Sequence, residues 1–141
     1  MNIKSKKFLV MGLPGAGKTT LADKLATKIP SVRINADEIR KRYNDWDFSK
    51  EGRIRQAKRM RDLSDKEIST GKNVITDFVC PTDKTRDDFN AHYVIWVDTI
   101  KQGRFEDTNK IFEPPKNFFL KVTSKNADYW SEQIIIKLSK E

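Results

Sequence analysis

The sequence predicts an α/β domain in three layers, a parallel sheet of roughly five strands covered by helices on both faces. Three observations carry that reading. Short apolar runs alternate with polar stretches of helical periodicity along the chain. The first run leads directly into a glycine-rich turn and then into a helical pattern. No repeat, low-complexity tract or Pro/Gly-rich linker interrupts the alternation, so residues 1–141 read as one domain with one core.

Taken in order, Lys7-Phe8-Leu9-Val10-Met11 reads as a buried strand, and Thr20 to Lys28 as a helix with Leu21, Leu25 and Lys28 at helical spacing. After the break at Pro30, Ser31–Asn35 reads as a second strand and Ala36 to about Tyr43 as a short helix. A loop over 44–49 ends at Ser49, a natural N-cap, with Glu51 placed where the positive end of the next helix favours it. That helix runs to about Ser69, with Ile54, Ala57, Met60, Leu63 and Ile68 as its expected core stripe and Gly71 as its stop. Asn73–Phe78 and Tyr93–Asp98 read as buried strands, and Pro81 is expected to open the helix between them. Thr99 to Pro115 is polar and irregular, punctuated by Gly103, Pro114 and Pro115, and reads as a short lid. Phe118–Val122 is a last strand and Ala127–Leu138 a last amphipathic helix; Trp96 and Trp130 are core residues by pattern.

Gly12-Leu13-Pro14-Gly15-Ala16-Gly17-Lys18-Thr19 fits G-x-x-x-x-G-K-[ST] between a strand and a helix, which is the context that makes this pattern a P-loop. The fold class is therefore that of a P-loop NTPase. Gly12, Gly15 and Gly17 let the backbone approach a phosphate closely, and the amides from Leu13, Pro14's neighbours and Ala16 through Thr20 turn toward the anion. Lys18 can reach the β- and γ-phosphates, and the Thr19 hydroxyl can hold Mg²⁺. The implied cofactors are ATP and Mg²⁺.

In a parallel sheet, ligands sit beyond the carboxyl ends of the strands, where Gly12, Asn35–Asp37, Asp77 and Asp98 all fall. Asp37 and Arg40 stand three residues apart on one face of a starting helix. A kinase needs such a carboxylate to orient or deprotonate the attacking hydroxyl, and a cation for an anionic acceptor; an ordinary helix start with a solvated arginine is the plain alternative. Asp77 reads either as a carboxylate holding Mg²⁺ through water or as a cap of the next turn. Asp98 reads as structural. Arg104, beside Gly103, is either a lid arginine that closes on the transferring phosphoryl group or a surface residue.

Composition narrows the partners. The net charge of +8 suggests a nucleotide, a sulfate or phosphate ester, or nucleic acid, with a merely soluble basic surface as the alternative. Of the cations on the long helix, Arg53 is expected to face the acceptor, while Arg55, Lys58, Arg59 and Arg61 read as a solvated face. No stretch approaches the ~20 apolar residues of a membrane span, and the basic start reads as a lead into the first strand, so no membrane partner is expected. The single cysteine, Cys80, excludes an internal disulfide framework and fits a cytoplasmic location; with only His92 beside it, a zinc site is not expected.

Asn35–Arg40, then Asn44-Asp45, Phe48-Ser49, Arg53 and Met60, resemble the adenylylsulfate (APS) kinase family, with its D-G-D-N-I-R followed by G-F-S-x-x-x-R. The resemblance implies that Asp37 serves magnesium and the acceptor hydroxyl, that Arg40 and Arg53 grip the acceptor's anionic groups, and that Phe48 stacks on its adenine. Gln56 stands where that family has Asn one turn past the acceptor arginine. Phe78-Val79-Cys80-Pro81 is similar to its F-I-S-P, and Phe112 to its second stacking aromatic. The implied activity is transfer of the ATP γ-phosphoryl group to the 3′-hydroxyl of adenylylsulfate, in sulfate assimilation, by a chain that in such a family is often a homodimer. Asn35 and Asp77 depart from the family's Asp and Ser, and the 98–115 segment is shorter than its lid. Ile34–Arg40 also resembles the I-N-x-D-D-x-R of phage-type polynucleotide 5′-kinases, as does the strand ending in Asp77. Both resemblances imply the same roles for Asp37 and Arg40. A nucleotide-binding regulatory module without catalysis is the reading from another class, and the presence of Lys18, Thr19 and Asp37 weighs against it.

Overall fold

A computed structural model describes residues 3–103 and 105–141. The chain runs β1 (Lys7–Met11), α1 (Lys18–Lys28), β2 (Val32–Asn35), α2 (Ala36–Tyr43), α3 (Lys50–Ser69), β3 (Val74–Asp77), α4 (Asp83–Phe89), β4 (Tyr93–Val97), α5 (Glu106–Ile111), β5 (Leu120–Val122) and α6 (Ala127–Leu138). The five strands form one sheet in the order β2-β3-β1-β4-β5, and every pairing is parallel. This is the expected architecture.

The two-residue period of β1 divides the interior. Phe8 and Val10 enter a cluster with Leu21, Leu25, Ile95 and Ile134, under α1 and α6. Leu9 and Met11 enter a second cluster with Ile39, Met60, Phe78 and Phe89, under α2, α3 and α4. A strand buried on both sides must be apolar throughout, and all of β1 is buried. Its one charged residue, Lys7, lies at the amino edge, where Nζ meets Asp65 at 2.6 Å and donates to the Phe89 carbonyl.

Register places the functional rim. Asn35 is level with Asp77, and Asp77 with Val10, so the ends of β2 and β3 lie side by side next to the exit of β1 into the P-loop. At that exit the chain passes so close to β4 that a Cβ on Gly12 would stand 2.4 Å from the Val97 carbonyl oxygen, at φ +153°. Only glycine fits both constraints.

Four local expectations change. Of the expected α3 stripe, Met60 is buried and Ala57, Leu63 and Ile68 pack against the second core cluster, but Ile54 is 61% exposed and Gly52, Gln56 and Ser64 complete the buried face. Sequence periodicity follows apolar residues, but here the inward positions are held by backbone proximity and polar pairing. A Cβ on Gly52 would lie 2.1 Å from the Asp47 carbonyl oxygen, and Ser64 Oγ pairs with Thr76 Oγ1 at 2.7 Å. Thr82, rather than Pro81, starts α4, its side chain accepting from the Thr85 amide. The 99–115 segment contains α5, whose first turn carries Glu106 and Asp107 and whose last carries Lys110, charges that suit a helix dipole. Trp96 and Trp130 are half-buried at the core margin; Trp130 needs that position to donate Nε1–H to Ser124 Oγ at 2.9 Å.

Gly12→Ala is expected to destabilise the domain by about 2–4 kcal/mol, from backbone strain plus the clash with β4. Urea denaturation with an unchanged slope measures this.

Candidate functional site

The phosphate cradle follows from the β1 exit. Gly15 and Gly17 have φ of +88° and +100°, and Gly17 is the N-cap of α1 without any side-chain cap. The positive end of α1 therefore faces the hollow of the loop with backbone groups alone. Ala16 N–H closes the loop onto the Leu13 carbonyl at 3.1 Å, and Thr99 Oγ1 donates to the Ala16 carbonyl at 2.6 Å, tying the end of β4 to it. Lys18 arches back over the loop and donates Nζ–H to the Leu13 carbonyl at 2.9 Å.

Beside the cradle lies a network that joins three elements. Thr19 Oγ1 donates to Asp77 Oδ2 at 2.9 Å. Asn35 Nδ2 donates to the same oxygen at 2.9 Å and to Thr19 Oγ1 at 3.1 Å, while Asn35 Oδ1 caps α2 by accepting from the Glu38 amide at 3.0 Å. Asp77 is 2% exposed, and its Oδ1 stands 2.7 Å from Arg33 Nη2 in an ion pair. Arg33 also meets Asp23 Oδ1 of α1 at 3.1 Å and donates to the Ile75 carbonyl at 2.9 Å. Asp37 follows on the first turn of α2, two residues past Asn35, and is exposed.

These groups fit a nucleoside triphosphate with Mg²⁺. The cradle accepts only glycine at its entry, its helix end is uncapped by side chains, and a hydroxyl and a carboxylate stand together beside it. Among the described residues no three acidic, His or Cys side chains cluster as a metal cage. Mg²⁺ commonly takes one or two protein ligands and completes its shell with water and phosphate oxygens, which suits Thr19 and Asp77.

The corner between α2 and α3 is built by arginines. Arg40, 5% exposed, donates Nη1–H to the carbonyls of Asp45 at 2.9 Å and Asp47 at 3.2 Å, and its guanidinium lies 4.2 Å from the centre of the Phe48 ring. Burial is the largest influence on Arg40 and lowers its pKa from the ordinary value. Asp45 accepts from Arg55 Nε at 2.7 Å and Arg59 Nη2 at 3.1 Å, and Asp47 from Arg55 Nη2 at 3.1 Å. The bond from Arg55 is the first cause holding the Asp45 carboxyl well below its usual range.

The structure thus brings together Gly12 through Thr20, Asn35, Asp37 and Asp77 at one rim. Gln56, Phe78, Cys80 and Phe112 are engaged elsewhere. Gln56 is buried, donating to the Ala36 carbonyl at 3.0 Å and accepting from Arg59, so it braces α3 against α2. Phe78 packs edge-to-face on Phe89, and Cys80 is 1% exposed with a thiol whose pKa burial raises; both side chains belong to the core, leaving half-buried Val79 and Pro81 at the surface of that turn. Phe112 lies 5.4 Å from the Arg86 guanidinium against the second core cluster. Arg53 is half-buried and, among the described residues, has no hydrogen bond or ion pair. Arg104 lies outside the described residues.

Sequence reasoning missed Arg33 and Arg86. Arg33 sits in a strand, where an inward charge has no pattern to announce it; alternation with Asn35 toward a strand-end carboxylate was the available signal. Arg86 is 7% exposed and ties the 78–81 turn to the lid base through the Cys80 and Glu113 carbonyls.

The class of protein is set by these features together. A family profile described as an AAA domain matches residues 8–94, and the chain belongs to that family of P-loop domains. Its whole fold is that of P-loop kinases. The Mycobacterium tuberculosis APS kinase in complex with AMPPNP and APS superposes with a TM-score of 0.79 at 19% identity, over 98% of this chain and 99% of that one. A sugar kinase from a Janibacter species gives 0.74 at 16% identity, over 95% and 94%. The Aquifex aeolicus shikimate kinase gives 0.68 at 19% identity, over 95% and 96%. Comparison with curated protein sequences finds no match. Among the described residues no helix is long and apolar enough to cross a membrane.

Arg33→Met is expected to cost about 3 kcal/mol, because it leaves the buried Asp77 carboxylate without its cation, and adding Asp77→Asn to it should recover much of that loss; chemical denaturation of both variants decides. Asp45, with a folded pKa below its unfolded value of about 3.8, contributes stability that is present above that pH and is lost as pH falls toward the folded value. Asp45→Asn should therefore flatten the acid limb of a stability–pH profile below about pH 4.

Proposed function

We propose that this chain is an ATP-dependent phosphotransferase acting on a hydroxyl of an anionic nucleotide. The observation that carries the reading is the Thr19–Asp77–Asn35 network beside a glycine-only cradle, with Asp37 on the adjoining helical turn. The loop from Gly12 to Thr20 would hold the triphosphate, with Lys18 leaving the Leu13 carbonyl for the phosphate oxygens. Thr19 and Asp77 would hold Mg²⁺, which supplies charge neutralisation when bound. Asp37 accepts the proton of the acceptor hydroxyl as the bond between the γ-phosphorus and the β,γ-bridging oxygen breaks and a new phosphate ester forms, leaving ADP. Arg53 anchors the acceptor's phosphate or sulfate, and Arg104 is proposed to close over the transferring group. Arg40 acts mainly by holding the 45–48 loop, so that Phe48 presents a ring to the acceptor's base.

The 3′-hydroxyl of adenylylsulfate is the leading acceptor. The APS kinase likeness and the Asp37–Arg40 and Phe48–Arg53 spacings support it. Transfer to a polynucleotide end is the second reading, favoured by Asn35 bonded to the strand-end Asp77, the pairing in which the chain departs from the APS kinase pattern. A soluble, cytoplasmic chain is proposed with either.

Labelled ATP supplied with adenylylsulfate, with 5′-hydroxyl oligonucleotides and with small sugars separates these acceptors; label on the oligonucleotide alone displaces the first choice. Asp37→Asn is expected to lower kcat by at least about 100-fold while leaving ATP affinity within about twofold. Turnover that survives the substitution would remove Asp37 from its role.

A further inference from the structure

The corner between α2 and α3 exposes more aromatic surface than one acceptor base requires. Tyr43, Trp46 and Phe48 are 47%, 51% and 56% exposed, within six residues of one another. Two of these rings are backed by a guanidinium: Arg40 lies 4.2 Å from the Phe48 centroid and Arg59 4.3 Å from that of Tyr43. Both arginines are themselves fixed, Arg40 by the Asp45 and Asp47 carbonyls and Arg59 by the Asp45 carboxylate. One side of each ring is therefore held by charge and the remainder faces outward, which presents an apolar ring in a set orientation.

The charge around these rings is cationic. Nine Lys and Arg stand against three Asp and Glu between residues 40 and 61. Asp45 and Asp47 are consumed internally by Arg55 and Arg59, whereas Lys41, Arg42 and Lys50 are exposed and, among the described residues, have no ion pair. Exposed rings interleaved with unpaired cations match the chemistry of single-stranded nucleic acid, whose bases stack on aromatic faces and whose phosphates seek positive charge. A second copy of the chain fits this face poorly, since apposition would set one cationic surface on another.

We propose that Tyr43, Trp46 and Phe48, with Arg42 and Lys50, form a platform for several consecutive nucleotides of a single-stranded polynucleotide. The platform begins about one helical turn from Asp37, because Arg40, three residues on, is the group beneath Phe48. It deepens the polynucleotide reading of the site, but its test needs no catalysis.

Fluorescence anisotropy of labelled dT12 and rU12, without ATP and at low and moderate salt, tests it. Wild-type protein should bind the 12-mers at least tenfold more tightly than dTMP competes, with affinity falling steeply with salt; the two 12-mers separate DNA from RNA preference. Trp46→Ala, with unchanged thermal melting, should weaken binding by about 5- to 100-fold. Arg42→Ala with Lys50→Ala should reduce the salt slope by about 1.4, two contacts at 0.7 each for a single strand. Should Trp46→Ala fail to fold, the charge variant decides by itself. Binding no tighter than that of dTMP, or affinity and slope unmoved by both variants, overturns the proposal. So does a wild-type dimer in sedimentation that Trp46→Ala dissociates while 12-mer binding stays the same. Loss of turnover in the acceptor assays would leave these binding results standing, so the two readings fail separately.

Discussion

Asp77 is a carboxylate at the end of a central strand with 2% of its surface exposed, and the arrangement of the rim follows from how it is compensated. A buried charge is tolerated only with a counter-charge and donors at hand. Here the counter-charge comes from β2 through Arg33, one donor from the end of β2 through Asn35 and another from the start of α1 through Thr19. Satisfying one carboxylate therefore fixes β2, β3 and α1 relative to one another. It also orients Thr19 and starts α2 in a defined direction, because Asn35 caps that helix with its other side-chain atom. Asp37 inherits its place from that cap.

Asn35 and Asp77 are two departures from the APS kinase pattern in the sequence, and in the structure they are one feature. They are level across β2 and β3 and share a hydrogen bond. A second carboxylate at position 35 would remove the amide donor and set like charges side by side. An amide there supplies a donor to Asp77 and to Thr19 while still capping α2. This rim thus contains a single strand-end carboxylate beside Thr19, and the exposed Asp37 follows on the first turn of α2.

The corner between α2 and α3 shows a different use of charge. The basic stretch from Arg40 to Arg61 reads along the sequence as two acceptor arginines, Arg40 and Arg53, and a solvated face. In three dimensions Arg40, Arg55 and Arg59 all bond to the 45–47 loop, which offers two carboxylates and two carbonyls, while Arg55 remains exposed. Gly52 permits that loop to lie against α3, where any side chain would collide with the Asp47 carbonyl. The result is a cross-bonded corner whose outer surface keeps its rings and its remaining cations.

Residue order makes the fold class, the P-loop and most element boundaries legible, since these rest on short-range patterns: apolar alternation, glycine spacing, caps at Ser49 and stops at Gly71. It also placed Asp37, Asp77 and the P-loop at one rim, because a parallel α/β topology forces strand ends together. Which polar side chains turn inward is set by contacts made in three dimensions. Ile54 is exposed while Gln56 and Ser64 are buried, Phe78 and Cys80 fill the core, Arg33 ties β2 to β3, and Arg86 ties α4 to the Glu113 carbonyl. Such assignments depend on partners tens of residues away, and a hydrogen bond or ion pair between them leaves no periodicity in the sequence from which to read it.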